Sequence, residues 1–301
     1  MRLRAVLRVC VTVIVLTGLI YAIQRASSGG PFYQLIGAVR PLVFGASVLA
    51  MATALLLRSL VWYRLLTSTG LPVTAIAAVR SRSLPVFAKY VPGKVWTHFA
   101  TSANLQAYMP TVRAGMALGF AFQMTVVGGG LLVGSVGMLW LGLPVMPTKA
   151  ALVVGVGLLL VVVVLGGVKR VRDSAWRLLE RLAGAGLGLS QVALLEATAL
   201  NALTWLIVGG AQWLMIRSFG LHMGWEPVFF QGVANVVGML AVVVPAGIGV
   251  REAVMVSYLT LGGLEISAAM LIAAVARLWS ILAEGVVFGV GVLLSALPSS
   301  R

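Results

Sequence analysis

Apolar runs long enough to cross a membrane recur along almost the whole of this 301-residue chain. A helix needs about 20 mostly apolar residues to traverse about 30 Å of hydrocarbon. Such runs lie at 5–23, 41–65, 114–143, 150–168, 191–216, 227–244 and 267–297. Two further stretches, 73–110 and 245–264, are apolar enough to enter a membrane but are broken by Pro, Gly and charge. Composition agrees: 60% of residues are hydrophobic and 10% charged, where soluble domains carry about 25% charged residues. The expected fold is therefore all-α, a polytopic helical membrane protein with about 7–8 spans and two Pro/Gly-broken re-entrant or interfacial segments. The first run follows Arg2 and Arg4 and so also has the form of a signal peptide. Its poor cleavage motif and the membrane-like remainder favour a retained span.

The formal charge of +15 comes from 22 Lys and Arg against 7 Asp and Glu. A basic balance of this size invites a nucleic-acid reading, but the chain lacks a hydrated surface and the aromatic interleaving that base stacking needs. The positions are more informative. With the N-terminus in the cytoplasm, 15 Lys and Arg fall in cytoplasmic regions and 4 outside, leaving Arg251, Arg277 and Arg301 unassigned. That asymmetry is the positive-inside pattern and places the chain in the inner (cytoplasmic) membrane. The most hydrophilic region, 169–190, has five basic residues interleaved with Asp173 and Glu180. It reads as an interfacial segment near anionic headgroups. It joins two halves, 1–168 and 191–301, of a single integral membrane domain.

Scarcity removes most chemistry. Cys10 stands alone, so no internal disulfide forms, and His98 and His222 are the only histidines. No metal cluster is expected. Asp173 is the sole aspartate, and Gly93-Lys94 runs into Val95 rather than Ser or Thr, so no P-loop exists. The last apolar run ends four residues before Arg301, so no appended soluble domain is expected. No cofactor and no catalytic residue are expected, and the reading is of a non-enzyme.

One local pattern occurs twice. The first copy is Lys89-Tyr90-Val91-Pro92-Gly93-Lys94-Val95-Trp96, and the second is Val244-Pro245-Ala246-Gly247-Ile248-Gly249-Val250-Arg251-Glu252. Each has a Val-Pro turn, nearby glycine, a basic residue and a helix-capable run, and each is expected after two spans. Pro92 and Pro245 are 153 residues apart, compatible with an ancient duplication into two halves. Proline removes a backbone donor and glycine permits a reversal. In lipid such backbone must be buried in protein or face a wet cavity. Paired interruptions of this kind point to a transporter binding site. The helix start after each break offers N–H groups to an anion, with Lys94 and Arg251 alongside. The competing reading is a plain interfacial turn with a snorkelling cation.

Lys94, His98 and Ser102 share a helical face, with Thr97 and Thr101 beside them, whereas Trp96, Phe99 and Leu105 lie on other faces. His98 reads either as a proton carrier or as a hydrogen-bonding partner. Arg277 and Glu284 are seven residues apart on one face of the last run, and Glu196, Asn201, Gln231 and Asn235 add polar groups at depth. Such groups pair or line a cavity; Arg277 with Glu284 or with Glu252 is the expected pairing, with substrate contact as the other reading. Gly115, Gly119 and Gly128–Gly130 read as close helix contacts.

The two motifs together resemble the paired signature of the lysylphosphatidylglycerol synthase transmembrane-region family, also described as flippase-like integral membrane proteins. The resemblance covers nearly the whole chain, and its second motif is the more specific. It implies a role in moving lipid between leaflets, without the aminoacyl transfer that a separate soluble domain performs in the fused enzymes. Carried over, Pro92, Gly93, Lys94, Pro245, Gly247, Gly249, Arg251 and Glu252 are its motif positions.

The expected activity is translocation of an anionic phospholipid or a polyprenyl-phosphate-linked glycan. Lys94 and Arg251 would contact phosphate, with Glu252, His98, Arg277 and Glu284 in the same cavity. The alternative is a non-transporting subunit that scaffolds an envelope lipid or glycan biosynthesis complex with partner proteins.

Overall fold

In the computed structural model, the described residues are 37–91, 95–141, 177, 188–241, 247 and 249–296. Among the described residues eight α-helices run in order: α1 Pro41–Thr67, α2 Ala75–Ser83, α3 Trp96–Ala103, α4 Val112–Leu141, α5 Gln191–Ser218, α6 Glu226–Leu240, α7 Val250–Leu261 and α8 Ile266–Ala296. A short 3-10 turn, Val86–Tyr90, follows α2. No strand occurs among the described residues. The chain is an all-helical, multi-pass membrane protein.

Among the described residues four helices, α1, α4, α5 and α8, are long and apolar enough to cross a bilayer. They match the expected runs at 41–65, 114–143, 191–216 and 267–297. Their starts follow from local chemistry. Pro41 sits in the first turn of α1, where its missing N–H costs nothing. Ser190 caps α5 by accepting from the Ala193 N–H at 3.0 Å. The run at 227–244 behaves differently from expectation: α6 has 15 residues, about 22 Å at 1.5 Å per residue, too short to cross alone. The expected runs at 5–23 and 150–168, and the linking segment 169–190 apart from residues 177 and 188–190, lie outside the described residues.

Long, short, short, long is the order of α1–α4, and α5–α8 repeat it. From Pro41 to Gln191 is 150 residues and from Val112 to Ile266 is 154. The contacts repeat as well. The α1–α2 pair is matched by α5–α6, α2–α8 by α6–α4, α1–α8 by α5–α4, and α3–α4 by α7–α8. The long helices that open each half, α1 and α5, pack on each other and run antiparallel. Arg64 near the end of α1 pairs with Glu196 near the start of α5 at 2.5 Å. At the opposite ends the Arg40 N–H donates to the Ser218 carbonyl at 2.8 Å. The two halves therefore run in opposite senses. The second break follows one long and one short helix, not the two spans expected before it. Of the two expected before the first, 41–65 is α1 and 5–23 lies outside the described residues.

Glycine sets the closeness of these contacts. A Cβ at Gly129 on α4 would stand 2.7 Å from the Ala202 backbone nitrogen on α5, and one at Gly119 would stand 2.9 Å from His98 Nδ1 on α3. The glycines of α4 thus serve helix packing, as their small-residue pattern suggests. Large buried side chains, among them Trp62, Trp279 and Phe122, fill the interior.

Candidate functional site

Arg277, Ser280 and Glu284 lie at i, i+3 and i+7 midway along the 31-residue α8, so they share one face. Between them they meet groups from both broken segments. Glu284 accepts from Lys89 Nζ at 2.5 Å and from the Tyr90 hydroxyl at 3.1 Å. Ser280 Oγ accepts from Arg251 Nη2 at 3.1 Å. Arg277 Nη1 faces Glu252 Oε1 at 3.7 Å, and its guanidinium lies 5.2 Å from the Tyr90 ring centroid. The residues before the first break and those after the second thus converge on the middle of one helix.

Local structure explains why these side chains arrive there. Phe87 packs on Phe288 of α8 with ring centroids 5.8 Å apart, which holds the 3-10 turn and its Lys89-Tyr90 pair against that helix. On the other side Gly247 and Gly249 adopt φ of 65° and 87°, values open to glycine at little cost. A Cβ at Gly247 would also strike the Gly238 backbone, so the turn before α7 sits directly on α6. Glu252 then caps α7, accepting from the Gly249 N–H at 2.6 Å. That N–H was expected to be free for an anion; Glu252 already occupies it.

Three cations, Lys89, Arg251 and Arg277, stand against two carboxylates, Glu252 and Glu284. Lys89 lies within Coulombic reach of both arginines. Arg251 is 8% exposed and Glu284 1%. Charge at such depth is costly unless matched, and the match is incomplete. Arg251 Nε and Arg277 Nη2 are buried with no hydrogen-bond partner among the described residues. Two unmet guanidinium donors beside an excess of positive charge are suited to an oxyanion, which Arg binds through charge-assisted N–H bonds. The Lys89 side chain is 42% exposed while its Glu284 partner is 2% exposed, so the cluster opens on the Lys89 side. Tyr258 adds a polar layer near Arg251. Its hydroxyl accepts from Gln212 at 2.7 Å and donates to Gln231 at 3.2 Å.

A family model described as the lysylphosphatidylglycerol synthase TM region matches residues 8–287. The chain belongs to that family. No curated protein and no solved structure matches it at the same standard. The TM-region family is one of membrane proteins of the lipid-synthase and flippase-like kind, and both broken segments of this member lie within the matched residues.

Of the residues expected at the site, Arg251, Glu252, Arg277 and Glu284 come together on α7 and α8, with Gly249 at the start of α7 and Gly247 in the preceding turn. Pro92, Gly93, Lys94 and Pro245 lie outside the described residues. Between the two expected pairings, Arg277 takes Glu252, and Glu284 turns to Lys89. His98 stands apart: it is buried against Phe120, with ring centroids 4.3 Å apart, and its Nδ1 has no partner among the described residues. Glu196 makes an exposed pair with Arg64, and Asn201 donates to Thr125 at 3.0 Å. Sequence reasoning passed over Lys89, Tyr90 and Ser280. The first two stand inside the quoted motif, and Ser280 follows Arg277 at i+3 on the same face; that spacing was the available signal.

Proposed function

We propose that this TM-region protein translocates an anionic lipid between the leaflets of the cytoplasmic membrane, with its N-terminus on the cytoplasmic side. The substrate class is a phospholipid or a polyprenyl-phosphate-linked glycan, recognised through its phosphate. One observation carries the reading: the two broken segments, from oppositely directed halves, bring Lys89 and Arg251 to the Arg277–Ser280–Glu284 face of a single helix, with buried guanidinium N–H groups unmet among the described residues. Transporters built of inverted repeats place their sites near the bilayer midplane at the repeat interface, against discontinuous helices. Lys89 and Arg251 hold the phosphate, Arg277 adds charge, and Glu252 and Glu284 position the three cations. Lys94, from the same motif, is a further phosphate contact in this proposal. The protein acts as a carrier and not as an enzyme. Energy comes from a gradient, a partner protein or the leaflet imbalance of the lipid itself.

Purified protein in liposomes carrying fluorescent phospholipid or tagged polyprenyl-phosphate glycan tests this reading. Transfer above empty vesicles, lost in Arg251→Gln, is the expected result. Absence of transfer for both lipid classes, with a proton gradient imposed, overturns it and favours the scaffolding subunit of an envelope-biosynthesis complex.

A further inference from the structure

A second pair of cations, one buried and one half-buried, lies in the first half and shares no ion pair with the site on α8. Arg58 of α1 is 8% exposed and donates through Nε and Nη2 to Thr204 Oγ1 of α5, at 3.3 and 3.0 Å. Its guanidinium lies 4.3 Å from the Trp205 ring centroid. Arg82 of α2 lies 4.6 Å from the Phe122 ring centroid. Trp205 Nε1 donates to the Val126 carbonyl, one turn from Phe122 on α4, so the two guanidiniums flank one stretch of that helix. His98 lies against the same helix at Gly119 and Phe120, and the charges of the two arginines repel. Neither arginine has a carboxylate partner among the described residues, and Arg82 makes no hydrogen bond there.

Aromatic faces offset part of the cost of burying a guanidinium, but they do nothing for the repulsion between two of them. Stacking also occupies the flat face only. The N–H donors point outward in the guanidinium plane, and most remain unused; in that plane an arginine forms its paired bonds to an oxyanion. The helix α3, which packs on α4, carries under-satisfied polar groups of its own. His98 Nδ1 and Thr101 Oγ1 of α3 are buried with no partner among the described residues.

We propose that Arg58 and Arg82 form a second anion site, separate from Lys89, Arg251 and Arg277, that takes a phosphate group. Both positive charges are held there by aromatic rings and one hydroxyl, with no carboxylate beside them among the described residues, and their in-plane N–H donors suit an oxyanion. The phosphate belongs either to a lipid headgroup or to a free, water-soluble phosphate; the recognition chemistry is the same.

Thermal unfolding of the full chain in nanodiscs separates these sources. Phosphatidylcholine discs are compared with and without inorganic phosphate, and with discs that also contain phosphatidylglycerol. The wild type gains several degrees in Tm from at least one of the two anions. A gain from phosphatidylglycerol alone identifies a lipid headgroup, and one from inorganic phosphate identifies a free ligand. Arg82→Gln loses at least half of that gain, and Arg82→Lys retains most of it. Because mutual repulsion is relieved, Arg82→Gln has an anion-free Tm equal to or above that of the wild type. Independence from the first site is read from Arg251→Gln and the double variant, whose losses of the anion response add. The proposal is overturned if Arg82→Gln keeps the full response, or if the double variant responds like Arg251→Gln alone. It is also overturned if Arg82→Gln loses the same number of degrees with and without anion, the mark of a purely structural arginine.

Discussion

Glu284 and Lys89 form a pair whose members differ sharply in exposure, and that difference makes their single variants unequal. In Lys89→Gln the carboxylate of Glu284, with a side chain 2% exposed, keeps only the Tyr90 hydroxyl as a direct partner. Leaving a buried charge uncompensated costs about 3–5 kcal/mol. In Glu284→Gln the orphan is Lys89, whose side chain is 42% exposed and, on its long flexible stem, can turn away from the site, so the cost falls to about 1 kcal/mol, the order of one lost hydrogen bond. Thermal unfolding in detergent at neutral pH should therefore rank wild type, then Glu284→Gln, then Lys89→Gln. The reverse order would mean that the lysine, not the carboxylate, is the more enclosed partner. Arg251 differs again, because its Ser280 contact is neutral. Arg251→Gln should cut lipid transfer at least tenfold while lowering Tm less than Lys89→Gln, a split read by running the liposome assay beside the melt.

At the scale of elements, the close contacts rest on a few glycines, and their neighbours separate packing from backbone effects. Gly129 and Gly285 both lie inside long helices, but a Cβ at Gly129 meets the α5 backbone and one at Gly285 meets nothing within 4 Å. Alanine is the better helix former by about 1 kcal/mol. Gly285→Ala should hold or raise Tm, and Gly129→Ala should lower it by forcing α4 from α5. The turns give a second comparison. Gly247 and Gly263 both have positive φ, yet only Gly247 has the Gly238 backbone against it. Both alanine variants bear the left-handed strain of about 1–2 kcal/mol; Gly247→Ala adds the collision and should melt lower than Gly263→Ala. Much of this scale was legible in the chain. Uninterrupted apolar runs marked α1, α4, α5 and α8, and Val-Pro-Gly turns marked the breaks. The length of α6 was not legible. Residues 227–244 are apolar throughout, and hydropathy does not record that the helix ends at Leu240. The partners of Arg277 and Glu284 were equally hidden. Spacing on α8 shows that the two share a face, but their choice of Glu252 and Lys89 depends on where two distant segments fold back.

Across the whole molecule, the antiparallel packing of α1 on α5 decides what the repeated pattern means. A duplication read from Pro92 and Pro245 alone leaves the relative direction of the halves open. The Arg64–Glu196 pair and the Arg40–Ser218 hydrogen bond fix it: the loops after α1 and after α5 lie at opposite ends of the helix bundle. The segment carrying Lys89 and Tyr90 therefore begins from one membrane face, and the segment carrying Arg251 begins from the other. In the proposed orientation, which rests on the distribution of positive charge, the first of these faces is cytoplasmic. Single cysteines placed in a Cys10→Ser background test both statements together. Ser68→Cys, in the loop after α1, should react with a membrane-impermeant maleimide only in inverted vesicles. His222→Cys, in the loop after α5, should react only in intact, right-side-out cells. Labelling of both from one side would make the halves parallel and remove the inverted-repeat basis for a midplane site. Labelling from opposite sides but with the faces exchanged would keep the repeat and reverse the orientation. The expected pattern leaves the α8 cluster as the place where chain entering from the two faces meets, as a carrier for a charged headgroup requires.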